Sequence, residues 1–321
     1  MVNCLLRSTL DNPTFREILN LRISSFLHSR KITNAHGSGN EGVYHEFNTL
    51  NNLTGKQWLK FLKSWFILNP RPRSKDVLLH PAKFPEELVE SFVTFFTKKG
   101  DTVLDPMVGT GSTTVASLMN DRNSIGVELS RKYAETAAKR ITMLVDGMEN
   151  SKTARSSRAT IRTRLLQGDA RDLDRMAIEE IDYCITSPPY WNMLKAKGFE
   201  TQAERRKANL DTDYSNDPRD VGNIEDYEEF LDRLVEIYLK VHSVLKPGGY
   251  LTVIVKNIKK KGKIYPLAWD LGNRLGNFFN LKDEKIWCQD NTRLAPYGYG
   301  RCWVSNTVHH YCLTFRKDKL S

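Results

Sequence analysis

Short apolar runs recur along the chain, each closed by a turn-forming or charged residue. Thr102-Val103-Leu104, Ile125-Gly126-Val127, Leu165-Leu166, Ile181-Asp182-Tyr183-Cys184-Ile185 and Tyr250-Leu251-Thr252-Val253-Ile254-Val255 are too short for helices. They are also too uniformly apolar for strands wetted on one face, and so suit a parallel sheet covered on both sides. Helical periods fall between them. One covers 86–97, with Glu86 and Glu87 in the first turn, where the helix dipole favours acids. Others run from a glycine turn to Asn120, onward through Leu144, over 224–245 and over 266–279. The fourth of these places Phe230, Leu231, Leu234, Ile237, Tyr238 and Val241 on one face. Two further strands, 284–288 and 309–315, complete the pattern. The alternation predicts an α/β fold of Rossmann-like type, with a mixed seven-stranded sheet and helices on both faces.

Other stretches are less regular. Residues 5–27 mix apolar and basic positions and predict one or two helices, and 36–42 is a loop by composition. Thr54 is the expected N-cap of a helix carrying Trp58, Leu59, Phe61, Leu62 and Trp65. Residues 71–75 form a basic turn, and 149–164 read as an exposed polar loop. The polar stretch 192–223 is too long for an ordinary connection and is a lid, a binding insertion or disordered. Residues 256–263 are densely basic, suiting a phosphate contact and a solvated loop equally. The 289–308 segment holds Arg293, Tyr297, Tyr299, Arg301 and Trp303. The expected division is an accessory segment over 1–70, a candidate for recognising the partner, and a main domain over 71–321.

Charge narrows the class of partner. Lys and Arg outnumber Asp and Glu by 48 to 38, a net +10 with pI ≈ 9.3, which fits a polyanion. The five cysteines are scattered, with no CxxC pair to suggest a disulfide framework or a zinc site, so no metal is expected. There is neither a leader-like amino terminus nor a run of 18 apolar residues, and the expectation is a cytoplasmic protein without membrane association.

Candidate chemistry gathers at the strand ends. Asp105-Pro106-Met107-Val108-Gly109-Thr110-Gly111-Ser112-Thr113 joins a strand to a helix through glycines, the arrangement in which backbone approaches a ligand. Glu128 closes the next strand about 20 residues after Gly109, where nucleotide-binding βαβ units place an acid on ribose hydroxyls. Asp169 closes the third. The fourth runs into Thr186-Ser187-Pro188-Pro189-Tyr190-Trp191. Neither proline donates to a ladder, so this strand must stop pairing there and become a stiff loop.

With these motifs in place the chain resembles the S-adenosylmethionine-dependent amino-methyltransferases that act on DNA. The 186–191 loop is similar to their fourth motif and 105–114 to their first, while 80–85, 246–255 and 309–317 resemble further ones; the likeness spans about 55–321. It implies that Phe84, Asp105, Pro106, Gly109, Gly111, Ser112, Thr113, Glu128 and Asp169 hold S-adenosyl-L-methionine, with S-adenosyl-L-homocysteine as product. Glu128 would take the ribose hydroxyls, Asp169 the adenine amino group, and Phe84 the methionine end. Asp105 would sit near the cofactor's amino group or orient the loop. Ser187, Pro188, Pro189 and Tyr190 would be catalytic, acting on a flipped-out base of double-stranded DNA. Within the family a serine before the prolines is commoner in cytosine N4 enzymes and an aspartate in adenine N6 enzymes, so Ser187 favours cytosine N4. Adenine N6 methylation and an RNA methyltransferase of the same fold are the alternatives. Methylation at cytosine carbon 5 calls for a cysteine, usually after a proline, and the chain has no Pro-Cys. The resemblance further implies a bacterial or archaeal host and a restriction-modification or epigenetic role, with a cognate restriction endonuclease as a possible partner. The cofactor motif here precedes the proline motif, whereas many serine-type members have the reverse order.

Overall fold

Apolar runs far apart in the chain pair into a single large sheet. A computed structural model describes residues 15–27, 45–71, 84–149, 155–191, 217–260, 262–296 and 299–318. Among these residues the strands are β1 (Phe15–Leu27), β2 (Trp65–Ile67), β3 (Thr102–Asp105), β4 (Asn123–Glu128), β5 (Arg155–Gly168), β6 (Ile181–Thr186) and β7 (Leu245–Val255). β8 (Ile258–Lys260) and β9 (Lys263–Tyr265) form a separate hairpin, and β10 (Asn280–Cys288) and β11 (His309–Arg316) follow. The helices are α1 (Gly55–Phe61), α2 (Glu86–Phe96), α3 (Ser112–Met119), α4 (Arg131–Glu149), α5 (Tyr227–Val244) and α6 (Leu267–Leu275).

The large sheet has nine strands in the order β1-β5-β4-β3-β6-β7-β11-β10-β2. β5, β4, β3, β6 and β7 are mutually parallel, and β11 lies antiparallel between β7 and β10. Period-two alternation sorts the side chains of these strands. Val103, Tyr183, Ile185, Ile254 and Cys312 point to the face covered by α2. Leu104, Cys184, Val253, Leu313 and Phe315 point to the other, where α5 and α6 pack. The α5 stripe Phe230, Leu231, Leu234, Ile237, Tyr238 and Val241 is buried as its spacing predicts, and Asp226 caps the helix by accepting from Glu229 N. From β3 the chain winds outward through β4 to β5, then reverses to β6 on the far side of β3. That reversal opens a crevice beyond the carboxyl ends of β3 and β6, the position where open α/β sheets bind ligands.

Four expectations are corrected. The sheet has nine strands rather than seven, because the amino-terminal region supplies both edges. Residues 15–27 are strand, not helix: Leu19, Leu21 and Ile23 are buried while Asn20 and Arg22 are exposed, the alternation of a half-buried strand. Its partner β5 begins at Arg155, within the expected loop 149–164, with Ile23 opposite Ile161 and Leu19 opposite Leu165. Arg164 Nε donates to Glu17 at 2.7 Å across this pair. The Thr54 helix ends at Phe61, and Trp65 lies in β2, parallel to β10. Thr54 does form a capping box, with Thr54 N donating to Gln57 Oε1 at 2.8 Å. The division expected at residue 70 has β1 and β2 on its amino-terminal side, both as edge strands of the common sheet. The loop 36–42 and most of 71–83 and 192–223 lie outside the described residues.

Candidate active site

Asp105 ends β3 and is fully buried beneath the crevice. Its Oδ1 accepts from Thr186 Oγ1 at 2.7 Å and from Met107 N at 3.0 Å, and its Oδ2 accepts from Thr113 Oγ1 at 2.6 Å. One carboxyl thus ties together the ends of β3 and β6, the glycine turn and the first turn of α3. Burial pushes its pKa up to about 6, against the opposing pull of Thr113, Thr186 and Met107 N.

The turn after Asp105 is folded onto β4. Val108 N donates to Val127 O at 2.9 Å, and Gly109 N donates to Glu128 Oε2 at 2.9 Å. Gly111, at φ +88°, caps α3 in the left-handed region, and a Cβ there would stand 3.1 Å from Ala137 Cβ of α4. Ser130 N donates to Glu128 Oε1 at 2.8 Å, so each oxygen of Glu128 already holds one backbone N–H. Burial raises the Glu128 pKa to about 7, opposed by the two N–H groups and helped by negative charge on Asp220 and Asp105.

Beyond β5, Asp169 caps a 3-10 turn, accepting from Arg171 N at 2.9 Å, and is gripped by the Arg171 guanidinium at 3.0 and 2.5 Å. Arg171 also donates to Arg219 O at 3.0 Å, bringing in the 219–221 segment. There Asp220 accepts from Gly222 N at 2.9 Å and is itself buried.

These strand ends line one solvent-open cleft at the carboxyl edge of the sheet. Pro106, Met107, Glu128, Asp169, Ser187, Pro188 and Pro189 all line it, with Leu129, Ser130, Tyr133, Asp220, Val221 and Ile237. Ser187 is half-buried. The remaining candidates stand behind this lining. Gly109 and Thr113 support Glu128 and Asp105, while the Ser112 hydroxyl donates to Glu86 Oε1 at 3.0 Å. Burial works to raise the Glu86 pKa, but the Arg140 guanidinium at 2.7 Å outweighs it and holds the carboxyl below its usual value. Phe84 is buried with the residues of α2.

Tyr190 is fixed at its far end, its hydroxyl 3.1 Å from His310 Nε2 of β11. Burial pushes the Tyr190 phenol up and drives His310 down to about 3, Lys256 and His309 adding to the latter, so the imidazole is neutral. His310 stacks on Trp287 with centroids 4.5 Å apart, and Trp287 Nε1 donates to Leu68 O at 2.8 Å. Trp191 is buried against Tyr227 and Tyr265, and Lys260 Nζ stands 3.8 Å above its ring.

Sequence reasoning missed Asp220, Tyr133 and His310. Asp220 sits in a long polar stretch with nothing to mark it except the turn residues around it. Tyr133 reads as one more apolar position of α4, and the partnership of His310 with Tyr190 spans 120 residues. Among the described residues, no helix is long and apolar enough to cross a membrane.

A family model described as DNA methylase matches residues 30–139 and 181–321. The chain belongs to the DNA methylase family. The two matched segments carry the glycine turn, Glu128 and the proline loop, and Asp169 lies between them. The type II methyltransferase M.BglI of Bacillus subtilis is 39% identical over 93 residues, 28% of this chain and 26% of that protein. The orphan methyltransferase M.BamHII of Bacillus amyloliquefaciens is 38% identical over 80 residues, 24% of this chain and 30% of that protein. The alignments thus span about a quarter to a third of these relatives. Among solved structures, TrmN from Thermus thermophilus matches at TM-score 0.42 and 16% identity, covering 72% of this chain and 48% of that one. NSun6 from Pyrococcus horikoshii matches at 0.44 and 15%, covering 78% and 57%.

The cofactor of this DNA methylase family is S-adenosylmethionine, and the residues of the cleft suit it. Glu128 keeps a second lone pair on each oxygen for hydroxyl donors, Leu129, Val221 and Ile237 supply apolar wall, and several carboxylates suit a ligand bearing positive charge.

Proposed function

We propose that this DNA methylase transfers a methyl group from S-adenosylmethionine to the exocyclic N4 amino group of a cytosine turned out of duplex DNA. The observation that carries this reading is the shared cleft: Ser187, Pro188 and Pro189 line it together with Glu128 and Asp169. When bound, S-adenosylmethionine supplies an electrophilic methyl on a sulfonium centre and leaves as S-adenosylhomocysteine.

The chain's own residues then have three tasks. Glu128 accepts the ribose hydroxyls, while Asp169, steadied by Arg171, accepts from the adenine amino group. The Ser187 hydroxyl and the Pro188 carbonyl accept hydrogen bonds from the two N–H groups of the target amino group. A cytosine amino nitrogen is a poor nucleophile because its lone pair is delocalised into the ring. Two acceptors draw it towards tetrahedral geometry and free the lone pair to form the new C–N bond, after which one amino proton passes to water. Tyr190, its hydroxyl tied to His310, presents a fixed ring on which the base stacks. Positioning of this kind supplies roughly 7–11 kcal/mol in intramolecular reactions, and pre-aimed acceptors add to it. No covalent intermediate with the protein is needed. Ser187, where adenine N6 enzymes more often carry aspartate, supports cytosine as the target.

The relatives' names include both type II and orphan methyltransferases, and we place this chain in the same setting of restriction-modification or epigenetic marking, with a companion endonuclease as a partner in the former. The test is transfer of labelled methyl to unmethylated duplex DNA, with RNA of matched length alongside. Label in DNA is expected; label confined to RNA overturns the reading.

A further inference from the structure

One loop leaves the sheet on the same edge as the cleft and holds large apolar side chains out in water. β10 is antiparallel to β11, which is antiparallel to β7, so the carboxyl end of β10 lies on the edge where β3, β4 and β6 end. In the connection from β10 to β11, Leu294 is 67%, Tyr299 88% and Trp303 90% exposed. Three large apolar side chains are thus held in water within one connection.

The foot of this loop is fastened. Ala295 N donates to Asn306 Oδ1 at 2.9 Å and Asn306 Nδ2 returns to Ala295 O at 2.8 Å, which closes the neck. Gln289 N donates to Val308 O at 2.8 Å just below it. Lys259 Nζ donates to Ser305 Oγ at 2.9 Å, tying the neck to the β8–β9 hairpin. The next residue of that hairpin, Lys260, is the one that stands over Trp191. A held base with an exposed aromatic tip therefore stands one hairpin away from the proline loop.

We propose that the 299–303 tip is a wedge for duplex DNA. Trp303, with Tyr299 beside it, stacks on the bases next to the extruded one and occupies the gap it leaves, while Arg301 and the hairpin lysines meet the flanking phosphates. Aromatic stacking needs no particular base, apolar wedges are a recurring device for parting base steps, and a chain of net charge +10 suits a polyanionic partner. The inference rests on the proposed DNA methylation and assigns it a second contact surface.

The test uses the full chain, amplified and hence unmethylated mixed-sequence DNA, and labelled S-adenosylmethionine. Trp303→Ala should lower methyl transfer at least about tenfold, with Tyr299→Ala weaker and Trp303→Phe within about threefold of wild type, since the phenyl ring still stacks. Affinity for S-adenosylhomocysteine by calorimetry should be unchanged in all three, and folding is not at stake for a side chain 90% exposed. Trp303→Ala transferring methyl at the wild-type rate overturns the wedge. So does a loss that Trp303→Phe shares in full or that comes with weakened cofactor binding. Wild-type protein that transfers methyl to no DNA overturns the underlying reading, and the wedge with it.

Discussion

The two sides of the cleft are built on opposite principles. On the side of the glycine turn the acids are buried and hydrogen-bonded before any ligand arrives: three donors converge on Asp105 and two backbone N–H groups on Glu128. On the side of the proline loop Ser187 is half-buried, Lys260 rides on Trp191, and the neighbouring loop ends in exposed Tyr299 and Trp303. A small ligand of fixed shape rewards a rigid site whose geometry is set in advance. A duplex that must be opened calls instead for surface that stays in water until contact. On the proposed reading the preorganised side holds the cofactor and the more exposed side meets DNA, and the Asp105–Thr186 hydrogen bond joins them.

Ser187→Ala should separate the two sides most sharply. Turnover should fall by roughly 10²–10³, the cost of removing one positioned partner of the reacting group, while calorimetric affinity for S-adenosylmethionine stays near wild type. Unchanged turnover would remove the serine from the mechanism. Salt should act on the other side alone. DNA affinity should drop by about a hundredfold on a fourfold rise in salt if several phosphates are contacted, with cofactor affinity nearly flat; a flat DNA response would count against phosphate contacts.

Glu128→Ala should weaken cofactor binding by roughly ten- to a hundredfold, the worth of one or two hydrogen bonds to a charged group, measured by calorimetry without DNA. Equal affinity would mean that the ribose lies elsewhere. The smallest effect is one of pH. Burial lifts the Glu128 pKa to about 7, so below that pH the carboxyl is largely protonated. Hydroxyl donors favour the ionised form, and binding must then release a proton. Affinity should fall by about tenfold per pH unit below 7 and level off above it, and Glu128→Gln should flatten the curve. The stability of the cofactor-free protein should move the other way. A folded-state pKa above the unfolded value adds stability at low pH, which is lost as pH rises through about 7.

The centre of the sheet was legible in the sequence because both faces of each strand are buried. β3, β4, β6 and the second half of β7 are continuous apolar runs, and a glycine turn, an acid or two prolines mark where each stops. The edge was not. β1 and β5 put Arg16, Asn20, Arg22, Thr160 and Arg162 on their exposed positions, so their alternation resembles a helix face or a polar loop when read without the partner strand. The site divides in the same way. Glu128 and the Ser187–Pro188–Pro189 corner are marked by local chemistry, whereas the link from Tyr190 through His310 and Trp287 to Leu68 joins four separate segments. Asp220 lines the cleft next to the Arg219 carbonyl that Arg171 holds, 48 residues away in the chain. No short-range pattern encodes either contact.

The central claim is that the Ser187–Pro188 corner activates an amino nitrogen attached to a base ring. Digesting DNA treated with the protein and methyl-labelled S-adenosylmethionine to nucleosides, then identifying the labelled nucleoside by mass spectrometry, tests it directly. The account predicts N4-methylcytosine. N6-methyladenine would keep the cleft chemistry and contradict the choice of base, whereas label on cytosine carbon 5, or on no nucleoside at all, would contradict the claim itself.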